Sequence, residues 1–175
     1  QVQLAVLSDR ILDSLKEEHF PRLQAVRNDM RHGEIPWNFI NSPLLLKLLL
    51  YMKLYGQHDI ALTSNKFSFY SEFFRTLISV YQGRNHHASY DVDHEIDEVA
   101  KAVFDAYTNG EKTVSSFPSL APILKQRSGQ RGEKVGLTHE TFYEYLVARY
   151  YHIQFQKDTL SRECVDVMKS PYSND

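Results

Sequence analysis

Histidine is the residue type that first suggests chemistry in this 175-residue chain, which contains eight of them. His86, His87 and His94 lie close in sequence to Asp91 and Asp93, and imidazole and carboxylate groups are ligands that zinc accepts. Their spacing matches no standard zinc motif, and no cysteine lies among them. We therefore favour a hydrated polar loop over a metal site for this part of the sequence.

Other motifs of catalytic or metal-binding chemistry are incomplete or missing. Residues 91–95 resemble the start of a calcium loop but lack the glycine at its sixth position and the final glutamate. Cys164 is the single cysteine, so a disulfide framework is excluded, and no nucleophile motif surrounds it. The patterns G-x-S-x-G and H-E-x-x-H, which mark serine hydrolases and zinc proteases, do not occur.

Glycine is scarce, with 7 residues in 175, about half of the usual share of roughly 7%. Loops that hold phosphates depend on glycine because the backbone must approach the phosphate closely. Neither G-x-x-x-x-G-K-[ST] nor G-x-G-x-x-G occurs, and the closest cluster, at Gly129, Gly132 and Gly136, lacks the Lys-Ser/Thr pair and follows no predicted strand. We therefore expect this chain alone to be no enzyme and to hydrolyse no nucleotide.

Two residues at predicted helix starts are candidates for contact with a nucleotide. With Thr138 as the N-cap, His139 lies in the first helical turn, where backbone N–H groups and the helix dipole attract phosphate. A histidine with a purely structural capping role fits the same position. Pro43 is either a simple helix-opening residue or a flat apolar surface for an adenine base. The residues alone leave both choices open.

The spacing of apolar residues predicts a mainly α-helical chain. In the first part, we expect Ser8 to cap one helix and Pro21 to open a second, which ends at Gly33. Ser42 and Pro43 should then begin a leucine-rich helix that is buried on most sides. Ser64 and Asn65 are candidate caps for an aromatic helix over about 66–81, and 82–91 should be a loop.

The second part is expected to contain helices over 93–107 and 138–151, a short helix over 118–125 and one clear strand at 135–137. Apolar residues recur on one face of several predicted helices, with the spacing of a stripe that faces the core. These are Leu23, Val26, Met30, Ile96, Val99, Ala100, Val103, Phe142, Tyr145 and Leu146, and Arg149 falls on the same face as the last three.

These elements predict two subdomains and a tail. Residues 1–85 should form a small helical bundle, residues 86–160 a winged-helix-like domain with one short β-hairpin, and residues 161–175 a C-terminal tail. The first 90 residues hold 10 basic and 8 acidic residues, a net charge of +2, whereas the rest hold 10 and 14, a net charge of −4. This change of sign gives limited support to the division.

Two segments, taken in this order, resemble the NACHT family of signal-transducing ATPases. Residues 41–49, NSPLLLKLL, are similar to the family's leucine-rich nPLLLxLL helix, and residues 135–149, VGLTHETFYEYLVAR, are similar to its F-x-H-x-[ST]-F-x-E-Y-[LF]-x-A segment. Residues 66–77 and 93–107 resemble the helices between them. The resemblance spans about residues 7–151, in the family's small helical domain and its winged-helix domain.

The resemblance implies a regulatory piece of a nucleotide-dependent oligomerisation switch, of a type used in innate immunity and antiviral defence. Pro43 would pack near the adenine base, and His139 would reach the β-phosphate of ADP and lock the resting state. ATP or ADP with magnesium would bind a P-loop core of the same parent chain, which would lie upstream of Gln1. The sequence also lacks an initial methionine, which fits a fragment of a longer protein and equally a processed or engineered start. Activation would involve self-oligomerisation of the parent.

The resemblance also assigns roles within the second segment. Phe142, Tyr145 and Leu146 would anchor the core of the winged-helix domain, and Glu144 would be an orienting carboxylate. The Walker motifs and the sensor arginine of the family are absent from these 175 residues.

Two other functions stay open. A winged-helix nucleic-acid binder would use the basic hairpin of Lys125, Arg127, Arg131 and Lys134, although a net charge of −2 and a pI near 6.5 argue against nucleic acid. A helical protein-interaction module would present the aromatic residues 69–74 as a docking face. The sequence contains no run of about 18 apolar residues, which a membrane span would need. Its first residues do not form a signal-peptide pattern. We therefore expect a cytoplasmic location and no membrane partner.

Overall fold

The chain, described here from a computed structural model, is mainly α-helical with one two-stranded antiparallel sheet, as the sequence predicts. The structure describes residues 2–33, 35, 39–56, 65–85, 91–111, 117–126 and 135–156. The chain divides into two compact units, unit 1 over Gln1–Val80 and unit 2 over Tyr81–Asp175. The domain limits expected from the sequence stay a prediction, and the expected tail at 161–175 lies outside the described residues.

Unit 1 contains α1 (Val2–Asp13), a 3-10 turn (Glu17–His19), α2 (Leu23–His32), α3 (Pro43–Tyr55) and most of α4 (Lys66–Arg84). The leucine-rich helix α3 lies at the centre of its core, as predicted. The buried side chains of α3 are Leu45, Leu46, Leu48, Leu49, Leu50 and Met52. Because apolar residues occur nearly all round this helix, it must be covered on several sides, and α1 and α2 both pack against it.

The predicted N-cap at Ser8 is wrong. The helix α1 already begins at Val2, and Ser8 lies in its interior, where it is buried. Its hydroxyl donates to the carbonyl oxygen of Ala5, with an O–O distance of 2.7 Å. A serine hydroxyl can be satisfied in this way by the carbonyl one turn earlier, so serine does not always mark a helix start.

The next helix, α2, buries Leu23, Val26 and Met30 and ends at Gly33, as predicted. It begins at Leu23, two residues after Pro21, so Pro21 precedes the helix rather than occupying its first position. The residues around Pro36 lie outside the described part of the chain. The sequence therefore located this helix correctly and its start only approximately.

The aromatic residues of α4 belong to the core. Phe69, Tyr70, Phe73 and Phe74 are all buried, and the ring of Phe69 lies edge-on to that of Phe39 at 5.3 Å between centroids. These rings are therefore not available as the exposed docking face that a helical protein-interaction module would need.

The ends of α4 show one confirmed and one wrong prediction. The Oδ1 atom of Asn65 accepts the N–H of Phe67 at 2.8 Å, so Asn65 does cap the helix, whereas Ser64, the other predicted cap, lies outside the described residues. Residues 82–84, predicted as a loop, continue α4 to Arg84. The polar Gln82 fits inside the helix because its side-chain amide donates to Glu95 Oε2 at 3.1 Å.

Unit 2 contains α5 (Val92–Thr108), a 3-10 helix (Pro118–Ile123), β1 (Leu124–Gln126), β2 (Val135–Leu137) and α6 (Glu140–Gln156). The strands pair with Leu124 opposite Leu137 and Lys125 opposite Gly136. Residues 124–126 thus form a strand where the sequence suggested the end of a short helix over 118–125. The three residues of β1 are too few to show an alternating pattern, so this strand is recognised from its pairing with β2.

The two long helices of unit 2 pack against each other and form most of its core. All the core positions expected in them are buried: Ile96, Val99, Ala100, Val103, Phe142, Tyr145 and Leu146. Gly110, with φ of +69°, follows the end of α5 in a left-handed conformation that glycine adopts readily. Among the described residues, every helix is too short or too polar to cross a lipid bilayer.

Candidate nucleotide-sensing site

Pro43 is the first residue of α3, and its side chain is exposed. The residue before it, Ser42, has extended backbone angles, and its Oγ accepts the N–H of Leu45 at 3.3 Å. This N-cap hydrogen bond and the buried leucines that follow fix the position of the helix start. The pyrrolidine ring of Pro43 therefore stands on a rigid base with its apolar surface towards solvent.

His139 is exposed and directly precedes α6, which begins at Glu140. It thus lies one position earlier than predicted, before the first turn rather than within it. Its carbonyl oxygen accepts the N–H of Phe142 at 3.2 Å, and its ring lies edge-on to the buried Phe142 ring at 5.8 Å between centroids. The imidazole is therefore held on one side by an aromatic contact and open to solvent on the other.

The backbone that carries His139 is fixed by two hydrogen bonds. The N–H of Thr138 donates to the carbonyl oxygen of Ile123 at 2.9 Å, which extends the pairing of the two strands by one bond. The N–H of Leu137, at the end of β2, donates to the hydroxyl oxygen of Tyr143 in α6 at 3.0 Å. The junction between β2 and α6 is thereby held from the sheet and from the helix.

The charges around His139 oppose strong binding of a free anion. The N–H groups of a first helical turn favour negative charge. Glu140, in the same turn, already supplies a carboxylate there, and the nearby Glu144 is exposed as well. A phosphate at this position would meet both the favourable N–H groups and the unfavourable carboxylates, so it must be held in place mainly by other groups.

Three residues of α6 have the burial that the resemblance implies for core anchors. Phe142, Tyr145 and Leu146 are buried. Glu144 is exposed, and its orienting role stays a prediction. Arg149 follows on the same helix with its side chain only 12% exposed.

Arg149 joins α6 to α5 through two carboxylates. Its Nη2 lies 2.7 Å from Asp97 Oδ1 and 3.2 Å from Asp93 Oδ1. Burial alone would lower the pKa of Arg149, but hydrogen bonds to the Tyr145 hydroxyl and the Asp97 carboxylate outweigh it and raise the pKa above its ordinary value. The guanidinium is therefore permanently charged and links the two helices.

Metal binding finds no support in the described ranges, where no three His, Cys, Asp or Glu side chains come together as ligands. His94 is exposed on α5. His86, His87 and Cys164 lie outside the described residues, as do Arg127, Arg131 and Lys134 of the basic hairpin.

Pro43 and His139 thus lie on different units, each exposed at the start of a helix. Sequence reasoning missed Tyr143 and the two aspartates that bind Arg149. Arg149, a charged residue in register with the buried face of α6, was a signal for an acidic partner, but it did not identify Asp93 and Asp97, whose side chains are 45% and 39% exposed. Comparison with known proteins adds nothing to these contacts: no protein-family model, curated protein or solved structure matches this chain.

Proposed function

We propose that this chain is the helical and winged-helix region of a NACHT-type ATPase, and that it reads whether ADP or ATP occupies a P-loop core in the same parent protein. One observation carries the proposal: His139 is exposed on a backbone that is fixed from both sides, between β2 and α6. An exposed side chain on a rigid base is what contact with a ligand on another domain requires, because little freedom is lost on binding.

His139 has the chemistry to recognise a phosphate. An imidazole N–H can donate to a phosphate oxygen, and such charge-assisted hydrogen bonds are stronger than neutral ones. The carboxylate of Glu140 in the adjoining turn keeps the affinity of the isolated chain low. The histidine would therefore report a phosphate that the core holds and would not capture one alone.

Pro43 has the chemistry to contact a base. Its ring is a flat apolar surface, exposed at the capped start of α3, and it would cover one face of an adenine held by the core. Pro43 belongs to unit 1 and His139 to unit 2, so each unit has its own proposed contact with the core. Loss of either contact would then weaken the hold of the core on that unit.

The order of elements in unit 2 supports a winged-helix assignment. A long helix, a 3-10 helix, an antiparallel hairpin and a second long helix follow one another over α5, Pro118–Ile123, β1, β2 and α6. The segment that resembles the NACHT motif covers β2 and the start of α6, which in this proposal places the sensing histidine directly after the hairpin.

The mechanism is a difference in affinity between two states. With ADP in the core, contacts to Pro43 and His139 would hold the region closed, and exchange for ATP would remove the contact that the histidine prefers. A hydrogen bond to a charged group contributes about 1.5–3 kcal/mol, and couplings of this size shift an equilibrium by roughly 10- to 150-fold. That is enough to release a closed state and expose surfaces for self-oligomerisation.

Two measurements test the proposal. The coding sequence that precedes Gln1 should contain a P-loop within about 200 residues, the length of one large domain, and a gene without one contradicts the proposal. The purified 175-residue chain should release no phosphate from ATP with magnesium, at equal concentration to an active P-loop ATPase as control. Salt-dependent binding of duplex DNA by the same chain would instead favour the winged-helix nucleic-acid binder.

A further inference from the structure

The β2–α6 junction contains a backbone donor that the sheet cannot satisfy. Adjacent N–H groups of a strand point to opposite sides. The N–H of Thr138 points towards the first strand, where it meets the carbonyl oxygen of Ile123. The N–H of Leu137 therefore points away from that strand. Leu137 is only 8% exposed, so this donor needs a partner within the protein.

Tyr143 supplies that partner. Its hydroxyl oxygen accepts the Leu137 N–H at 3.0 Å, and the two residues are the ends of a seven-residue segment that contains His139. The Thr138 bond to Ile123 and the first turn of α6 hold this segment as well. The Leu137–Tyr143 bond fixes the distance between the end of β2 and Tyr143 on α6. It thereby sets the direction of the His139 side chain between them.

We propose that Tyr143 is the positioning residue for His139: its hydroxyl holds the end of β2 against α6 so that the imidazole stands over the helix start with its edge on Phe142. This inference rests on the proposed function for its consequence, namely that the fixed imidazole retains ADP. The positioning itself is a property of the isolated chain and can be measured there.

The first experiment uses the 175-residue chain with Tyr143→Phe, which removes the hydroxyl and keeps the ring. The matched control is Tyr107→Phe, which removes a hydroxyl from a tyrosine of unit 2 that is 42% exposed. In Tyr143→Phe we expect amide hydrogen exchange at Leu137 to accelerate by about tenfold and the NMR cross-peak between the His139 and Phe142 rings to weaken. The control should change neither.

Thr138 is the internal reference, because its bond to Ile123 does not involve Tyr143. Equal acceleration of exchange at Thr138 and Leu137 overturns the inference, since the hydroxyl would then stabilise the hairpin as a whole. An unchanged Leu137 rate or an unchanged ring cross-peak overturns it too. Should Tyr143→Phe fold poorly, the temperature dependence of the Leu137 amide shift in the original chain decides: a value typical of a solvent-exposed amide overturns the inference.

The second experiment uses the parent protein loaded with ADP and compares the rate of ADP release. We expect both His139→Ala and Tyr143→Phe to accelerate release, the second by a smaller factor, and Tyr107→Phe to leave it unchanged. Acceleration by His139→Ala alone overturns the role of Tyr143 and leaves the proposed function standing. No acceleration by His139→Ala overturns the proposed function, whereas the positioning measured in the isolated chain is then unaffected.

Discussion

Arg149 on α6 and Asp97 on α5 are joined by a hydrogen bond of 2.7 Å between the arginine Nε and the aspartate Oδ1. The two residues are 52 positions apart in the sequence, so the bond connects the two long helices of unit 2. Asp93 adds a second carboxylate to the same guanidinium at 3.2 Å. Since α6 also carries His139 at its start, the geometry of the candidate site depends on how firmly this helix is held.

We expect Arg149→Met to lower the free energy of unfolding by about 1–2 kcal/mol, because it removes charge-assisted hydrogen bonds whose acceptors stay partly solvated. The control is Arg31→Met. Arg31 lies 3.4 Å from Asp9 with its side chain 52% exposed, and loss of such a surface pair should change stability by less than about 0.5 kcal/mol. Urea denaturation followed by circular dichroism measures both, and equal effects would contradict the distinction.

The same ion pair makes a prediction about pH. The pKa of Arg149 is raised in the folded chain, so its contribution to stability is complete below the pKa of arginine in the unfolded chain and is lost only as the pH rises through the still higher folded value. The difference in unfolding free energy between the original chain and Arg149→Met should therefore be constant between about pH 6 and pH 9. A difference that decreases across this range would show that another group titrates with the pair.

Local signals in the sequence predicted the helix starts that depend on neighbouring residues. Ser42 bonds to Leu45 and Asn65 to Phe67, so each cap is readable within three residues. Ser8 was misread because the same hydroxyl chemistry is satisfied inside α1. The spacing of apolar residues predicted the buried faces of α2, α5 and α6 because helical periodicity is itself a local property.

Contacts between residues that lie far apart in the sequence could not be predicted from it. The strand β1 exists only through its pairing with β2, and neither the Arg149–Asp97 bond nor the capture of the Leu137 N–H by Tyr143 follows from residue spacing. Pro43 is the first residue of α3 and His139 directly precedes α6, and both are exposed. Their function stays a prediction, because it depends on groups that this chain does not contain.

Ser42 and Pro43 should separate stability from sensing. Ser42→Ala removes the N-cap acceptor for Leu45 and should destabilise the chain by about 1 kcal/mol, whereas Ser42→Asp should keep most of the stability. Pro43→Ala changes an exposed residue at the helix start and should alter stability by less than about 0.5 kcal/mol. Under the proposed function it should nevertheless accelerate ADP release in the parent. Thermal unfolding and nucleotide release, measured on the same three variants, test this separation.

Two glycines should respond to alanine in opposite directions. Gly83 lies in α4 with no atom near the position that a Cβ would occupy, so Gly83→Ala should stabilise the chain by about 0.5 kcal/mol. Gly110 has φ of +69°, where a side chain is strained, so Gly110→Ala should destabilise by about 1 kcal/mol. Both substitutions add one methyl group to an exposed residue, and each is therefore a control for the other in urea denaturation. The same sign for both would show that backbone conformation does not govern these positions.

His139→Ala is the decisive substitution for the proposed function. The side chain is exposed and contacts Phe142 only at the ring edge, so its removal should change the stability of the isolated chain by less than about 0.5 kcal/mol. In the parent with ADP, loss of a hydrogen bond to a charged phosphate should accelerate ADP release by roughly tenfold or more and raise the oligomeric fraction at rest. Light scattering after gel filtration measures that fraction. His152→Ala, an exposed histidine near the other end of α6, is the matched control, and it should leave the parent in its resting state because it lies about three helical turns from the start of α6.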